Sequence, residues 1–432
     1  MSRAWRNWGR SARCSPALRV VARDEDHVVD LVRAARERGV PVRAVGAGHS
    51  FAPLVSTTGL LLDTRQLTGP EAAEEPAAED CPGFGAGTTL GELGETLHRR
   101  GLTVGGLATT TAPTLAGAIA TGTHGGGRHA SLSAQVAGVR VVTGTGDVLD
   151  VGAADPRLDA LRLSLGVLGV VTRVALRCVP DGVLCRHERT APLDALTADP
   201  EGWARSAEHV SAFWFPWQDV VLVRTWHVHG PGCRPAAPAP VARPGPAARA
   251  GLRAAASRLP LPAPVARIAA APGRPRPGPP LRAPAHRAAV FPQRRRFAAL
   301  EYAVALDRLP EAVAGLRAAL AATGFVSPLP VELRPGPAEP TWLGPAHGRP
   351  TAWINLAAPR APGRTGWLRA AERVLAGIGG RPHWAKLHGL DAAALRDRYP
   401  RWDDFAAVRA TLDPDGVFLS PCTRRLLAAR DG

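Results

Sequence analysis

Residues 42–53 read VRAVGAGHSFAP, and how this stretch is read decides how the rest of the chain is assembled. Val42 and Val45 flank Arg43 and Ala44 in the pattern of a half-buried strand. Gly46, Ala47 and Gly48 then make a turn whose glycines permit positive φ and let the backbone approach a neighbour closely. The N–H groups of such a turn point the same way and can cradle a phosphate. Many glycine-rich turns are only turns. What sets this one apart is His49, followed by Ser50, at its mouth.

Outward from the turn, helix and strand patterns alternate. Asp24 to Gly39 predicts a helix with acids in its first turn, an apolar face, arginines late and a glycine stop. Leu60 to Asp63 reads as a second strand, and the acidic run at 70–80 as an exposed connector. Gly83 to Gly87 and Thr88 to Arg100 predict a short strand and a helix closed by Gly101. Residues 107–131, LATTTAPTLAGAIATGTHGGGRHAS, are dominated by small residues, so backbone there lies close to something flat or crowded. Its TGTHGGG turn either offers amides to a ligand or packs tightly for its own sake. Val136 to Val151 is a hairpin pattern, Leu158 to Gly169 looks helical, and Val170 to Val179 is a strand.

Composition narrows the class. At 432 residues the chain is expected to hold two or three domains. No run reaches the roughly 18 apolar residues of a membrane span, and the N-terminus shows no export signal. Six cysteines without a CxxC pair suit free thiols in a reducing cytoplasm. The net charge of +16 is concentrated in residues 231–298, which hold thirteen arginines and no acid, so the remainder is nearly neutral and nucleic acid is an improbable general partner. Lysine occurs once, at Lys386, in a chain that otherwise uses arginine for positive charge. A compact ammonium is therefore expected to be needed there.

The later half predicts a separate sheet. Ala212 to Val228 is aromatic and strand-like, with tryptophans that either line a cleft or fill a core, the latter being the commoner fate of large aromatics. Residues 231–292 are rich in Pro, Ala and Arg, with a short basic helix expected at 247–259, and read as a solvated insertion or as a basic docking tract. A strand with Tyr302 then gives way to a helix ending at Gly324. Glu332 and Arg334, two apart on a strand, face the same side, where a carboxylate and a guanidinium can grip a polyol or form a surface ion pair. His383 and His388 flank Lys386 without a third ligand at metal spacing, so no metal site is assigned.

Taken in order, GAGHSF, LAGAIATGTHGGG, the VRVVTGTGDVLDV hairpin and SLGVLGVVTRVAL resemble the flavin-binding domain of the vanillyl-alcohol-oxidase superfamily. VELRP (331–335), WLGPAHGR (342–349), RPHWAKLH (381–388) and YPRWDDFAAVRATLDPDGVF (399–418) narrow the resemblance to the sugar-1,4-lactone oxidases, with alditol oxidases as cousins. The resemblance implies an α+β protein: a PCMH-type, two-part FAD-binding domain over 1–182, a cap domain with an antiparallel sheet over 183–380, and a segment at 381–432 that returns to the FAD domain. It implies FAD bonded through His49, since a neutral imidazole nitrogen is a competent nucleophile toward the flavin 8α-methyl group. Gly46, Ala47, Gly48, Ser50, Ala108, Gly117, Thr121, Gly122, Thr123, His124, Gly125 and Val171 become cofactor candidates. Glu332, Arg334 and Lys386 become catalytic candidates, with Lys386 supporting charge on the reduced ring.

Two departures bear on activity. Asn355 stands where alditol oxidases carry a histidine, which argues against an alditol-type base and makes Asn355 a substrate candidate. Ala108, sixteen before His124, stands where oxidases of the group carry glycine and plant dehydrogenase relatives carry alanine. The expected reaction is oxidation of a hydroxyl-bearing carbon of a sugar lactone or polyol. Oxygen becomes hydrogen peroxide, or another acceptor takes the electrons.

Overall fold

The computed structural model describes residues 4–427 apart from 71–80, 107, 217–219, 230–274, 291–295, 326, 328 and 359–362. The acidic connector, the basic helix expected at 247–259 and most of the arginine-rich tract lie outside the described residues.

The amino-terminal part is built on two larger sheets, beside two-stranded pairings of Trp5–Arg6 with Arg13–Cys14 and of Leu102–Thr103 with Val179–Pro180. β1 (Leu18–Val21), α1 (Glu25–Glu37), β2 (Val42–Val45) and β3 (Leu60–Asp63) give a parallel three-stranded sheet in the order β1–β3–β2. Asp24 caps α1 by accepting the His27 N–H, and the buried face of α1 is Val28, Val29, Val32 and Ala35. β4 (Gly83–Gly85), α2 (Leu90–Arg99), β5 (Val136–Val142), β6 (Val148–Val151) and β7 (Val170–Leu176) supply an antiparallel sheet in the order β4–β7–β5–β6. Thr89 and Glu92 close a capping box on α2. The helix expected over 158–169 is short, Leu158–Leu161, because Leu165 (φ 52°), Gly166 (φ 64°) and Gly169 (φ 142°) take left-handed backbone that a helix cannot continue through. The Leu165 N–H goes instead to Ala120 O, 3.0 Å away.

The second half forms an eight-stranded antiparallel sheet. Its strands are β8 (Val183–Pro192), β9 (His209–Trp214), β10 (Val220–His229), β11 (Leu281–Pro284), β12 (Ala298–Ala305), β13 (Val331–Gly336), β14 (Thr351–Ala358) and β15 (Arg381–Pro382), in the order β11–β8–β10–β9–β13–β14–β12–β15. The end of the basic tract is thus an edge strand of this cap sheet. Period-two alternation sorts its residues. Leu300, Tyr302, Val304, Leu333, Ile354 and Leu356 face α3 (Leu309–Thr323) and α4 (Arg364–Gly377) in one apolar cluster. Trp214 belongs to that cluster and Trp226 to a smaller one beside β8, so both are core residues. Glu301, Glu332, Arg334, Trp353 and Asn355 occupy the alternate positions and face the other way.

Residues after β15 return to the amino-terminal part. The Val42 N–H donates to Val417 O at 2.8 Å, and Trp402, Phe405 and Leu412 join the core that contains Phe84, Leu93 and Val139. Among the described residues no cysteine is in a disulfide, and no helix is long and apolar enough to cross a membrane.

Candidate active site

A cleft runs between the turn after β2 and the cap sheet. Gly46, Ala47, Gly48, His49 and Ser50 line it on one side, together with Ala108, Gly117, Thr121, Thr123, His124 and Val171. Glu301, Arg334, His383 and Lys386 line it from the cap and the returning segment. Gly48 holds φ at 68°, and a Cβ on Gly46 would lie 2.0 Å from Thr114 Oγ1, so this turn is built for close approach. Thr114 Oγ1 itself is buried on the cleft with no hydrogen-bond partner among the described residues. His49 is half-buried and stacks on Trp8, with ring centroids 5.6 Å apart, and burial lowers its pKa, which keeps the imidazole neutral at neutral pH.

Gly122 and Gly125, expected to touch the cofactor, are not among the cleft-lining residues. Their turn serves the cap as well as the cleft that Thr121, Thr123 and His124 line. The Gly127 N–H donates to Pro335 O (2.8 Å), the Val210 N–H to Gly126 O (3.0 Å), and the Arg128 N–H to Glu208 O (3.1 Å). A Cβ on Gly126 would meet Val210 O at 2.5 Å, so its bareness answers to a neighbouring strand.

The most concentrated electrostatics centre on Glu301, a residue that motif reading passed over. Its carboxylate is buried and receives Arg334 Nη2 at 2.6 Å and Lys386 Nζ at 3.4 Å, with His124 Nε2 at 3.2 Å. Burial alone pushes such a group up, but the charges of Arg334 and then Lys386 overcome it and hold Glu301 well below the usual carboxylate range. Burial pushes the guanidinium of Arg334 down, and Glu332 and Glu301 more than restore it. Burial lowers His124 and His383, which therefore stay neutral. His124 donates from Nδ1 to Gly125 O (2.8 Å) and stacks on Trp353 (3.7 Å), fastening the TGTHGGG turn to the cap.

Lys386 is positioned by a segment that touches both sides. The Phe51 and Ala52 N–H groups donate to Ala385 O (2.6 and 3.3 Å), while the His383 N–H donates to Glu301 O (2.9 Å) and the Leu387 N–H to Ala299 O (3.0 Å). The ammonium therefore stands where the glycine turn meets the cap.

A family profile described as "FAD binding domain" matches residues 16–152, and one described as "D-arabinono-1,4-lactone oxidase" matches residues 278–426. L-gulono-1,4-lactone dehydrogenase of Mycobacterium tuberculosis is 32% identical over 438 residues, covering 99% of this chain and 100% of that protein. The chain belongs to the FAD-dependent sugar-1,4-lactone oxidoreductases. Alditol oxidase of a Streptomyces species is 32% identical over 89% of this chain and 90% of its own length, and L-gulonolactone oxidase of Bos taurus is 26% identical over 96% of each. Among solved structures, cholesterol oxidase from B. sterolicum superposes with a TM-score of 0.78 at 18% identity, covering 99% of this chain and 97% of that one, a likeness of PCMH-type fold.

The residues of this lactone oxidoreductase fit FAD. The backbone of residues 46–50 on the cleft and the orphan Thr114 hydroxyl, which Gly46 meets without a side chain, offer amides and a donor to FAD. Glu332 and Asn355 stand back from the lining. They are register partners across β13 and β14, and Asn355 Nδ2 donates to Glu332 Oε2 at 3.3 Å. Asn355 is also opposite Glu301, so the three form a row across the sheet. Arg334 Nε, 3.9 Å from Glu332, and Asn355 Oδ1 are buried without hydrogen-bond partners, which marks a place for a polar ligand.

His124, Glu301 and His383 bring potential ligand atoms within 4.8 Å of one another, an arrangement the local spacing of His383 and His388 did not reveal. Arg334 and Lys386 already compensate Glu301, and His383 Nδ1 accepts the Ala385 N–H (3.1 Å), so the donor set does not fit a divalent cation. His388 stands apart, its pKa pushed down to about 4 by burial and its ring edge-on to Trp384. One signal for Glu301 was present in the sequence: a lone charge in an otherwise apolar strand, FAALEYAVAL.

Proposed function

We propose that this enzyme oxidises a hydroxyl-bearing carbon of a sugar 1,4-lactone, as a D-arabinono-1,4-lactone oxidase does, with FAD tethered through His49. Bound FAD supplies a hydride acceptor at N5 and relays the electron pair to oxygen, giving hydrogen peroxide, or to another acceptor. His49, neutral because buried, offers a nitrogen lone pair for attachment. Arg334 donates to the ring or carbonyl oxygen of the lactone, while Glu332 and Asn355 accept hydroxyl hydrogens. Lys386 places a fixed positive charge on the cleft, suited to negative charge gained during reduction. The observation that carries the reading is that Arg334 and Lys386 line the same cleft as the His49 turn.

A second reading concerns the acceptor alone. Ala108 lines the cleft, and its methyl group favours a dehydrogenase that excludes oxygen. Purified protein mixed anaerobically with a panel of 1,4-lactones and alditols decides the substrate class, since a true substrate bleaches the flavin within turnover time. Readmitting oxygen, with peroxide measured against an artificial acceptor, separates oxidase from dehydrogenase. Failure of every lactone to bleach the flavin sinks the proposal.

A further inference from the structure

Burying a charge is a poor way to stabilise a fold, since apolar residues of similar volume do as well or better. β12 follows that rule with one exception: Ala299, Leu300, Ala303 and Val304 are buried and apolar, and Glu301 is buried among them. Its two carboxylate oxygens are divided. Oε1 faces Arg334 from β13, and Oε2 faces Lys386 from the returning segment. Its backbone oxygen, accepting the His383 N–H, ties that segment to the same residue. Arg334 thus reaches diagonally past Asn355 to Glu301, although Glu332 lies two residues away on its own strand, and its Nε, 3.9 Å from Glu332 Oε1, is left without a hydrogen bond. With both histidines neutral, Glu301, Glu332, Arg334 and Lys386 sum to zero charge.

We infer that Glu301 is a positioning residue that aims Arg334 and Lys386 into the cleft and offsets their charge toward the flavin. The inference rests on flavin occupying this cleft, as proposed above, and not on the identity of the lactone. Removing the carboxylate has two consequences of opposite sign. Arg334 loses its anchor, so substrate is held less well. One positive charge is also uncompensated, so any anion formed on the flavin side is better stabilised.

Sulfite tests this without a substrate, because its attachment to bound flavin leaves a negative charge and bleaches the visible absorbance. In flavin-loaded Glu301→Gln, sulfite is expected to bind about tenfold tighter, while kcat/KM for the best lactone falls by roughly 100-fold. A merely structural role predicts weaker sulfite binding together with lower activity. Sulfite affinity that is unchanged or weaker, or kcat/KM equal to wild type, overturns the inference. Glu301→Asp keeps the charge but shortens the reach. Its sulfite affinity should stay within about threefold of wild type while kcat/KM still falls. If Glu301→Gln fails to hold flavin, this variant decides, and wild-type kcat/KM in it overturns the inference. Should no lactone bleach wild-type flavin, the proposed function fails while the sulfite comparison still judges Glu301.

Discussion

The turns VGAGHS and TGTHGGG look interchangeable as sequence, each a histidine among glycines, yet they face different neighbours. The first opens on the cleft: Gly46 to Ser50 line it, and His49 is half-buried against Trp8. The second keeps Thr121, Thr123 and His124 on the cleft but closes its last glycines on protein. His124 is stacked under Trp353 beside Glu301, and Gly126 and Gly127 meet the backbone of β9 and β13. A glycine permits close approach without saying what approaches. The neighbour is chosen by the element that follows in space, here the Thr114 and Trp5 side chains in one case and the backbone of cap strands in the other.

The comparison breaks most visibly at the two histidines. Wild-type protein precipitated in acid is expected to keep its yellow colour. His49→Ala should release all of the flavin under the same treatment, while His124→Ala keeps it, with lower stability. Measuring absorbance in pellet and supernatant decides this, and release from the His124 variant alone would reverse the assignment of the two turns.

Next in size is the cost of filling the cap-facing turn. Gly127 has φ 118°, and a Cβ there would lie 2.3 Å from Glu208 O and 2.8 Å from His209 Cα. Gly127→Ala is expected to lose about 3 kcal/mol or more of stability in denaturant titration, because backbone cannot yield as a flexible side chain can. Gly39→Ala is the control: its φ is 62° but nothing lies within 4 Å, so about 1 kcal/mol is expected. Equal costs would remove the steric argument for the seam.

Local pattern made the scaffold legible in sequence and left the seam obscure. The α1 span, the α2 span, the β5–β6 hairpin and the cap strand carrying Glu332 and Arg334 follow from periodicity, stop glycines and turn residues that lie close along the chain. The order of motifs carried the resemblance that placed His49 and Lys386. Glu301 was missed because its partners come from residues 124, 334 and 386, a juxtaposition that no local spacing encodes. The false helix at 162–169 has the same origin: Leu165 is an apolar, helix-favouring residue, and the left-handed backbone there is imposed by contacts with Ala120 and Arg43.

The cap-facing turn also leans on a buried histidine whose protonation is linked to stability. His209 bridges to Gly127, is buried, and has its pKa lowered to about 3 by burial and by His129, whose own ring bonds Glu208 at 2.5 Å. The unfolded chain binds a proton at this site below its ordinary pKa of 6.5 and the folded chain does not, so stability falls as pH drops from 6.5 toward 3. The slope is about 1.4 kcal/mol per pH unit for one such group. His209→Gln should flatten the stability–pH curve between pH 6 and 4 by about that amount relative to wild type. Parallel curves for the two proteins would mean that His209 is protonated in the folded state.

The smallest effect expected concerns Ala108, on the cleft between the two turns in chain order. A methyl group at a cleft wall leaves a lactone free to bind but narrows the approach of a second, smaller reactant to the same ring face. Ala108→Gly removes that methyl and changes no charge or hydrogen bond. Reoxidation of reduced protein by oxygen, followed by stopped flow, is therefore expected to accelerate by about fivefold, roughly 1 kcal/mol of barrier. Anaerobic reduction by lactone should change by less than about twofold, since no group proposed to hold the substrate is touched. The ratio of the two half-reactions separates access from general loosening: a wider, softer cleft would move both, and a true oxygen barrier moves one. An unchanged reoxidation rate would assign the choice of acceptor to another wall of the cleft, the Phe297 side supplied by the cap being the next to test.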